Sequence, residues 1–169
     1  VTHGVTEAGD VSVDVGEVQL DGNYACGNYN VALGDPAFDD GIFSGVNNVA
    51  IDNALISATT SGNFNASVGA FSLNLNTTGS SNTALGSGSL ENNTTGSNNV
   101  ALGTSALVFN TTASNNTAVG YQALYDNVTG TSLVAVGYQA LANNTANSNT
   151  AVGLSTLFTN TTGSENTGL

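Results

Sequence analysis

The sequence predicts an all-β fold: a parallel β-solenoid (β-roll) of about eight 17-residue coils, preceded by an N-terminal β-strand segment. The phrase "TAVGYQAL" at 117–124 returns as "VAVGYQAL" at 134–141. Related tetrapeptides begin at Val31, Val49, Ala66, Thr83, Val100, Thr117, Val134 and Thr150, at intervals of 16 to 18 residues. Self-similarity at a fixed short period is typical of repeat folds, whose units stack to form one continuous core.

Two positions of each coil are aliphatic, and we expect both to face the interior. The third position holds Leu33, Ile51, Val68, Leu85, Leu102, Val119, Val136 and Val152, and the eighth holds Leu73, Leu90, Leu107, Leu124, Leu141 and Leu157. A small residue precedes each of them, and neighbouring strand residues point to opposite faces. We therefore expect close packing on the second face, either by another layer of the coil or by a second chain.

Glycine and asparagine mark the turns. Glycine follows the tetrapeptide's aliphatic residue in every coil except at Asp52, as expected for a tight turn. Asparagine closes the preceding coil except at Leu133, and stacked asparagines can hydrogen-bond from coil to coil as in cross-β ladders. The segment 120–127 is compatible with a second short strand or with one helical turn.

Residues 1–30 form a separate N-terminal segment, and residues 31–169 form the solenoid domain. The alternation in "DVSVDVGEVQL" predicts one half-buried strand with a bulge near Gly16. This strand either caps its own solenoid or adds to the sheet edge of a neighbouring copy. The candidate assembly residues are Val11, Val13, Val15, Val18, Leu20 and the terminal Leu169. Cys26, in "YACG", is expected to fill a core position and cannot form an internal disulfide.

The composition excludes several classes of function. The chain has no Lys or Arg and a net charge of −12, so it lacks the cations that nucleic-acid binding requires. No apolar run approaches the roughly 20 residues that span a bilayer, so we expect no membrane insertion. His3 is the single histidine and has no Lys or Arg to support it, so we expect no enzyme activity and no cofactor.

Two kinds of modification or ligand site are predicted. Asp35, Asp39 and Asp40 in "DPAFDDG" are weak candidates for a Ca²⁺ site, and the alternative is a solvated acidic turn. Asn-x-Ser/Thr glycosylation acceptors occur at Asn65, Asn76, Asn92, Asn93, Asn110, Asn115, Asn127, Asn143 and Asn160. The alternative is that Asn and Thr serve only as turn residues. The threonines that begin some coils also resemble an ice-binding row, which valines interrupt.

The segments "SNNVALG" at 97–103 and "SNNTAVG" at 114–120 resemble the head repeats of trimeric autotransporter adhesins and the repeats of phage tail fibres. The resemblance covers about residues 28–169. It implies a left-handed, trimeric parallel β-roll with small residues at close contacts. It also implies a surface-exposed, non-enzymatic role in binding or structure.

These observations lead to two functional expectations. The first is an extracellular structural subunit of a self-assembling fibre, held by coil stacking and by strand donation. The alternative is a trimeric adhesin or tail-fibre module that binds a host glycan or protein. In both cases the expected partners are copies of the same chain and covalent glycans, at the extracellular, cell or virion surface.

Overall fold

A computed structural model describes residues 4–5, 11–13, 18–19, 29–33, 44–51 and 61–169. The strands are β1 (Gly4–Val5), β2 (Val11–Val13), β3 (Val18–Gln19), β4 (Val31–Leu33), β5 (Val49–Ile51), β6 (Ala66–Val68), β7 (Thr83–Leu85), β8 (Val100–Leu102), β9 (Thr117–Val119), β10 (Val134–Val136), β11 (Thr150–Val152) and β12 (Thr167–Gly168). The described residues contain no helix.

Strands β4 to β12 form one nine-stranded parallel sheet in sequence order. Each strand pairs in register with the equivalent residues of the next coil, for example Ala118 with Ala135. The predicted parallel β-solenoid is therefore confirmed. Its eight steps between strands correspond to a sheet roughly 38 Å long at the usual inter-strand spacing.

The N-terminal segment differs from the prediction. Strands β1, β2 and β3 form a separate antiparallel sheet, with Ser12 opposite Gln19 and Val13 opposite Val18. The predicted single bulged strand from Val11 to Leu20 is therefore wrong. Because β2 and β3 are antiparallel neighbours, the chain reverses direction between Val13 and Val18.

The predicted direction of the strand side chains is also wrong. The middle residue of each strand from β5 to β11 is buried, and its aliphatic neighbours are half-buried or exposed. Ala101, Ala118 and Ala135 are fully buried, whereas Leu85 on the other face is 49% exposed. The third-position residues Ile51, Val68, Leu85, Leu102, Val119, Val136 and Val152 therefore do not form an inner row, and the side chain of Leu33 lies outside the described part of the structure.

The narrow interior of the coil explains this orientation. The eighth-position leucines Leu73, Leu90, Leu107, Leu124 and Leu141 are fully buried, as predicted. The residues just before them, such as Ala106 and Ala123, are also fully buried. Each coil thus holds one leucine between small residues, and a second large aliphatic row would overfill it.

Segment 120–127 forms neither of the two predicted structures. It is a series of turns in which Gln122 and Leu124 both have φ of 53°. The equivalent leucines of the other coils, from Leu73 to Leu157, have the same left-handed backbone. This conformation costs a non-glycine residue about 1–2 kcal/mol, so burial of the leucine must offset it.

The asparagine ladder predicted before the strands is confirmed. In this pre-strand ladder, the amide nitrogen of each member from Asn30 to Asn149 donates to a carbonyl of the next coil, and its amide oxygen accepts the N–H of the equivalent residue there. Asn99 Nδ2 lies 2.9 Å from the Ala113 oxygen, and the Asn116 nitrogen lies 3.0 Å from Asn99 Oδ1. The described members are Asn30, Asn48, Asn65, Asn82, Asn99, Asn116, Asn149 and Asn166.

A second, unpredicted asparagine ladder follows the buried leucines. This mid-turn ladder contains Asn76, Asn93, Asn110, Asn127, Asn144 and Asn160. Asn93 Nδ2 donates to Asn76 Oδ1 and Asn110 Nδ2 to Asn93 Oδ1, both at 2.8 Å. The two ladders satisfy buried backbone groups at turns, where the β-sheet provides no partners.

The glycines after the strands have a backbone that other residues avoid. Gly86 has φ of 130°, and a Cβ added to it would lie 2.7 Å from the carbonyl carbon of Gly103 in the next coil. Gly103, Gly120 and Gly137 show the same close approach. The predicted tight turn is therefore confirmed, and glycine is required both by conformation and by the stacking distance.

A matched pair of glycine substitutions tests this requirement. We expect Gly86→Ala to lower the free energy of unfolding by about 3 kcal/mol or more, from backbone strain and the contact with Gly103. Gly88→Ala should cost only about 1 kcal/mol, since its φ of 66° is accessible to alanine at a modest penalty and its nearest neighbour is the flexible Glu91 side chain. Urea denaturation of both variants measures the difference, and equal losses would contradict the stacking argument.

Candidate assembly surface

The outward side of the parallel sheet carries two rows of mostly aliphatic side chains, which we call the outer aliphatic face. Its first row is Val31, Val49, Ala66, Thr83, Val100, Thr117, Val134 and Thr150, and its second row is Ile51, Val68, Leu85, Leu102, Val119, Val136 and Val152. Because the strands are in register, like positions lie next to each other along the solenoid.

Large apolar side chains of this face reach solvent. Leu85 is 49%, Val134 36% and Val152 40% exposed. Tyr121 and Tyr138, which follow the turn glycines of their coils, are also exposed. Contiguous exposed apolar surface of this kind is unusual in a soluble monomer and commonly marks an interaction site.

The outer aliphatic face carries no charged residue at either strand position. In the stretch 61–169 the acidic residues are Glu91, Asp126 and Glu165, and all three lie outside the strands. Sheet surfaces that are exposed to water usually include charges, which prevent aggregation. The face thus lacks the residues that would keep it apart from another apolar surface.

The parallel arrangement of the strands is a second reason to expect that another surface packs on the outer aliphatic face. Sheets made only of parallel strands normally have both faces buried, and their strands are nearly continuously apolar. Strands such as Val100–Leu102 and Val134–Val136 have this composition. In the described residues, the coil itself covers only the inner face, on which the alanines lie.

The predicted glycosylation acceptors divide into two groups. Asn65, Asn76, Asn93, Asn110 and Asn127 are buried and belong to the two asparagine ladders. A glycan at these positions would require the coil to open. Asn92 and Asn143 are half-buried, Asn115 is exposed, and Asn160 is half-buried within the mid-turn ladder. Glycosylation stays a prediction, with Asn92, Asn115 and Asn143 as the accessible positions.

Several predicted residues lie outside the described part of the chain. They are His3, Val15, Leu20, Cys26, Asp35, Asp39 and Asp40. The calcium site therefore stays a prediction, and the residues that are described contain no cluster of three or more potential metal ligands.

The remaining assembly residues are placed by the structure. Val11, Val13 and Val18 lie in the separate antiparallel sheet, and Leu169 is 94% exposed. Thr83, Thr117 and Thr150, the threonines that resemble an interrupted ice-binding row, lie in the first row of the outer aliphatic face among valines. This row is therefore mainly apolar, which favours contact with another apolar surface.

Comparison of the chain with protein-family models, curated proteins and solved structures finds no match. Within the described ranges there is no helix long and apolar enough to cross a membrane. The outer aliphatic face and the asparagine ladders are the features of the described residues that bear on function.

Proposed function

We propose that this protein is a non-enzymatic structural rod that functions as an assembly of several copies, packed side by side through their outer aliphatic faces. The observation that carries the proposal is a parallel sheet with one face buried in the coil and the other face apolar, uncharged and exposed. Lateral packing of this face favours the expected adhesin or tail-fibre type of module over a fibre built by coil stacking alone.

A filament made by coil stacking is the second candidate. Strand β12 (Thr167–Gly168) lies at an edge of the sheet, with β11 as its neighbour. A further coil, from this chain or from another copy, can pair with an edge of this kind. The accessible acceptor motifs at Asn92, Asn115 and Asn143, and the amide-rich, weakly charged surface of residues 61–169, support a location at the extracellular, cell or virion surface.

Light scattering with size-exclusion chromatography, and electron microscopy of the same sample, test both candidates. A closed assembly of fixed mass supports lateral packing, and filaments of unlimited length support coil stacking. A monomer at micromolar concentration would overturn the proposal.

A substitution pair assigns the assembly to the outer aliphatic face. Leu85→Asp places a carboxylate in the middle of this face, and we expect it to give monomers with an intact solenoid, because an unpaired charge opposes burial. Thr95→Asp is the control, since Thr95 is exposed in a turn away from the strands. It should assemble as the original chain does. Equal assembly of both variants would exclude this face as the contact.

A further inference from the structure

Both asparagine ladders are interrupted between the same two coils, 117–133 and 134–149. In the pre-strand ladder, Leu133 occupies the position of an asparagine and is fully buried. At the preceding step, Asn116 donates to the Gly130 oxygen at 2.8 Å and accepts the N–H of Leu133 at 3.0 Å. A leucine side chain can make neither bond with the next coil.

The missing ladder bond at Leu133 leaves the buried backbone N–H of Asn149 without a hydrogen-bond partner in the described coils. Asn149 is fully buried, and its backbone N–H occupies the position from which a ladder bond is donated in other coils, as the Asn116 N–H donates to Asn99 Oδ1. Within residues 61–169, this N–H of Asn149 makes no hydrogen bond. Buried N–H groups without partners are rare and reduce local stability.

The mid-turn ladder stops at the same place. Asn127 Oδ1 accepts the N–H of Gly130 in its own coil at 2.9 Å, and Asn144 Nδ2 donates to the Ala146 oxygen at 2.7 Å. In the described contacts no hydrogen bond joins Asn127 to Asn144, whereas Asn93 and Asn110 are joined at 2.8 Å. The following coil is also one residue shorter, because 16 residues separate Val134 from Thr150.

Surface contacts replace the interior ones at this junction. The rings of Tyr121 and Tyr138 stack with centroids 5.3 Å apart and an interplanar angle of 16°. Beside them, Gln139 Nε2 donates to Gln122 Oε1 at 2.8 Å. We call these four residues the outer Tyr–Gln contact. The equivalent positions of coil 83–99 hold Ser87 and Gly88, which cannot form it.

We propose that the junction between coils 117–133 and 134–149 is a weak junction, at which the solenoid opens before its other interior junctions, and that the outer Tyr–Gln contact holds it closed. The backbone ladder continues across it, with Gly137 N 2.7 Å from the Val119 oxygen. What differs is the location of the side-chain bonds. At this junction they lie at the surface, where the two tyrosines are exposed and the Gln122–Gln139 bond is half-buried, so contacts at the surface can open or close the junction.

Hydrogen exchange with peptic digestion and mass spectrometry tests the proposal on the full chain. We expect coils 134–149 and 150–166 to exchange as one block, with protection roughly tenfold or more below that of coils 83–116, since each lost bond contributes on the order of a factor of ten. A smooth gradient from the end of the chain would indicate end fraying and overturn the proposal.

Substitutions test whether the ladder bonds and the outer Tyr–Gln contact determine the stability of this junction. Leu133→Asn restores both ladder bonds and should raise the protection of coil 134–149 by roughly tenfold, without change in coils 83–116. Tyr138→Ser combined with Gln139→Ser should lower protection from 134 onwards. The control is Tyr125→Ala, which removes the edge contact with Phe109 across the preceding junction and should lower protection there instead.

Asn82→Leu, the opposite substitution in another coil, tests the proposal independently if Leu133→Asn fails to fold. Asn82→Leu removes the bonds to the Gly96 oxygen and the Asn99 nitrogen and should create a second weak junction after coil 66–82. Unchanged exchange in Asn82→Leu, or unchanged exchange from 134 onwards in Leu133→Asn, would show that the ladders do not set the order of opening.

Discussion

Ala118→Asp is expected to unfold the coils around strand β9, whereas Val119→Asp is expected to leave them folded. Ala118 is fully buried between Ala101 and Ala135, its register neighbours in the inner core. An aspartate there would bring an unpaired carboxylate into an apolar interior, which costs several kcal/mol and is a large part of the stability of a typical domain.

Val119 is the matched control because it is the next residue of the same strand and receives the same new side chain. It is half-buried on the outer aliphatic face, where the carboxylate can reach water. We expect a loss of no more than about 1 kcal/mol for the isolated chain. The stacked coils share one core, so the effect of Ala118→Asp should extend to neighbouring coils.

Urea denaturation should be measured in a Leu85→Asp background, because assembly stabilises the folded state by mass action. In that background the two variants should differ by about 3 kcal/mol or more. If Val119→Asp were the more damaging variant, the third-position residues would face inward and the orientation described above would be wrong.

The repeat period was sufficient to predict the parallel solenoid, the turn glycines, the inner leucines and the pre-strand ladder. It did not fix which strand residue faces inward, because a strand of three residues such as Thr117–Val119 has two possible faces. Because valine is more hydrophobic than alanine, the sequence favoured Val119 as the inward-facing residue. The narrow interior of the coil favours Ala118 instead. That narrow interior follows from the left-handed turn at Leu124, a conformation that the sequence does not signal.

The mid-turn ladder had a sequence signal that was assigned to another cause. Asn76, Asn93 and Asn110 recur at the 17-residue period, and the threonine that follows two positions later also makes each an acceptor motif. An asparagine that recurs in every coil at one position is better explained by a buried amide that satisfies the same backbone group each time. Leu133 was visible as an exception, but its consequence for Asn149 required the three-dimensional contacts.

The pre-strand ladder leads to a second large effect, in which a change of one atom is expected to destabilise the protein in a pH-dependent way. Asn99 donates to the Ala113 oxygen and accepts the N–H of Asn116. In Asn99→Asp the ionised carboxylate retains the acceptor and loses the donor, so it faces the Ala113 carbonyl in a buried site. We expect a loss of several kcal/mol at neutral pH.

The stability of Asn99→Asp is expected to fall as the pH rises. Burial and the facing carbonyl raise the pKa of Asp at this position in the folded state above its unfolded value of about 3.9. Between those two values the unfolded state binds fewer protons, so stability falls as pH rises. Below about pH 4 the protonated carboxyl can donate to Ala113 and accept from Asn116, and stability should return.

Asn115→Asp is the control for Asn99→Asp, because it adds the same charge to the same chain. Asn115 is exposed, and its φ of 63° is a backbone that aspartate tolerates. Urea midpoints of the two variants should coincide near pH 3.5 and separate progressively towards pH 7. A separation that did not change with pH would mean that the amide donor of Asn99 is not what the interior requires. The ladder would then act through side-chain shape, which Leu133 also provides, and the interruption at residue 133 would have no energetic consequence.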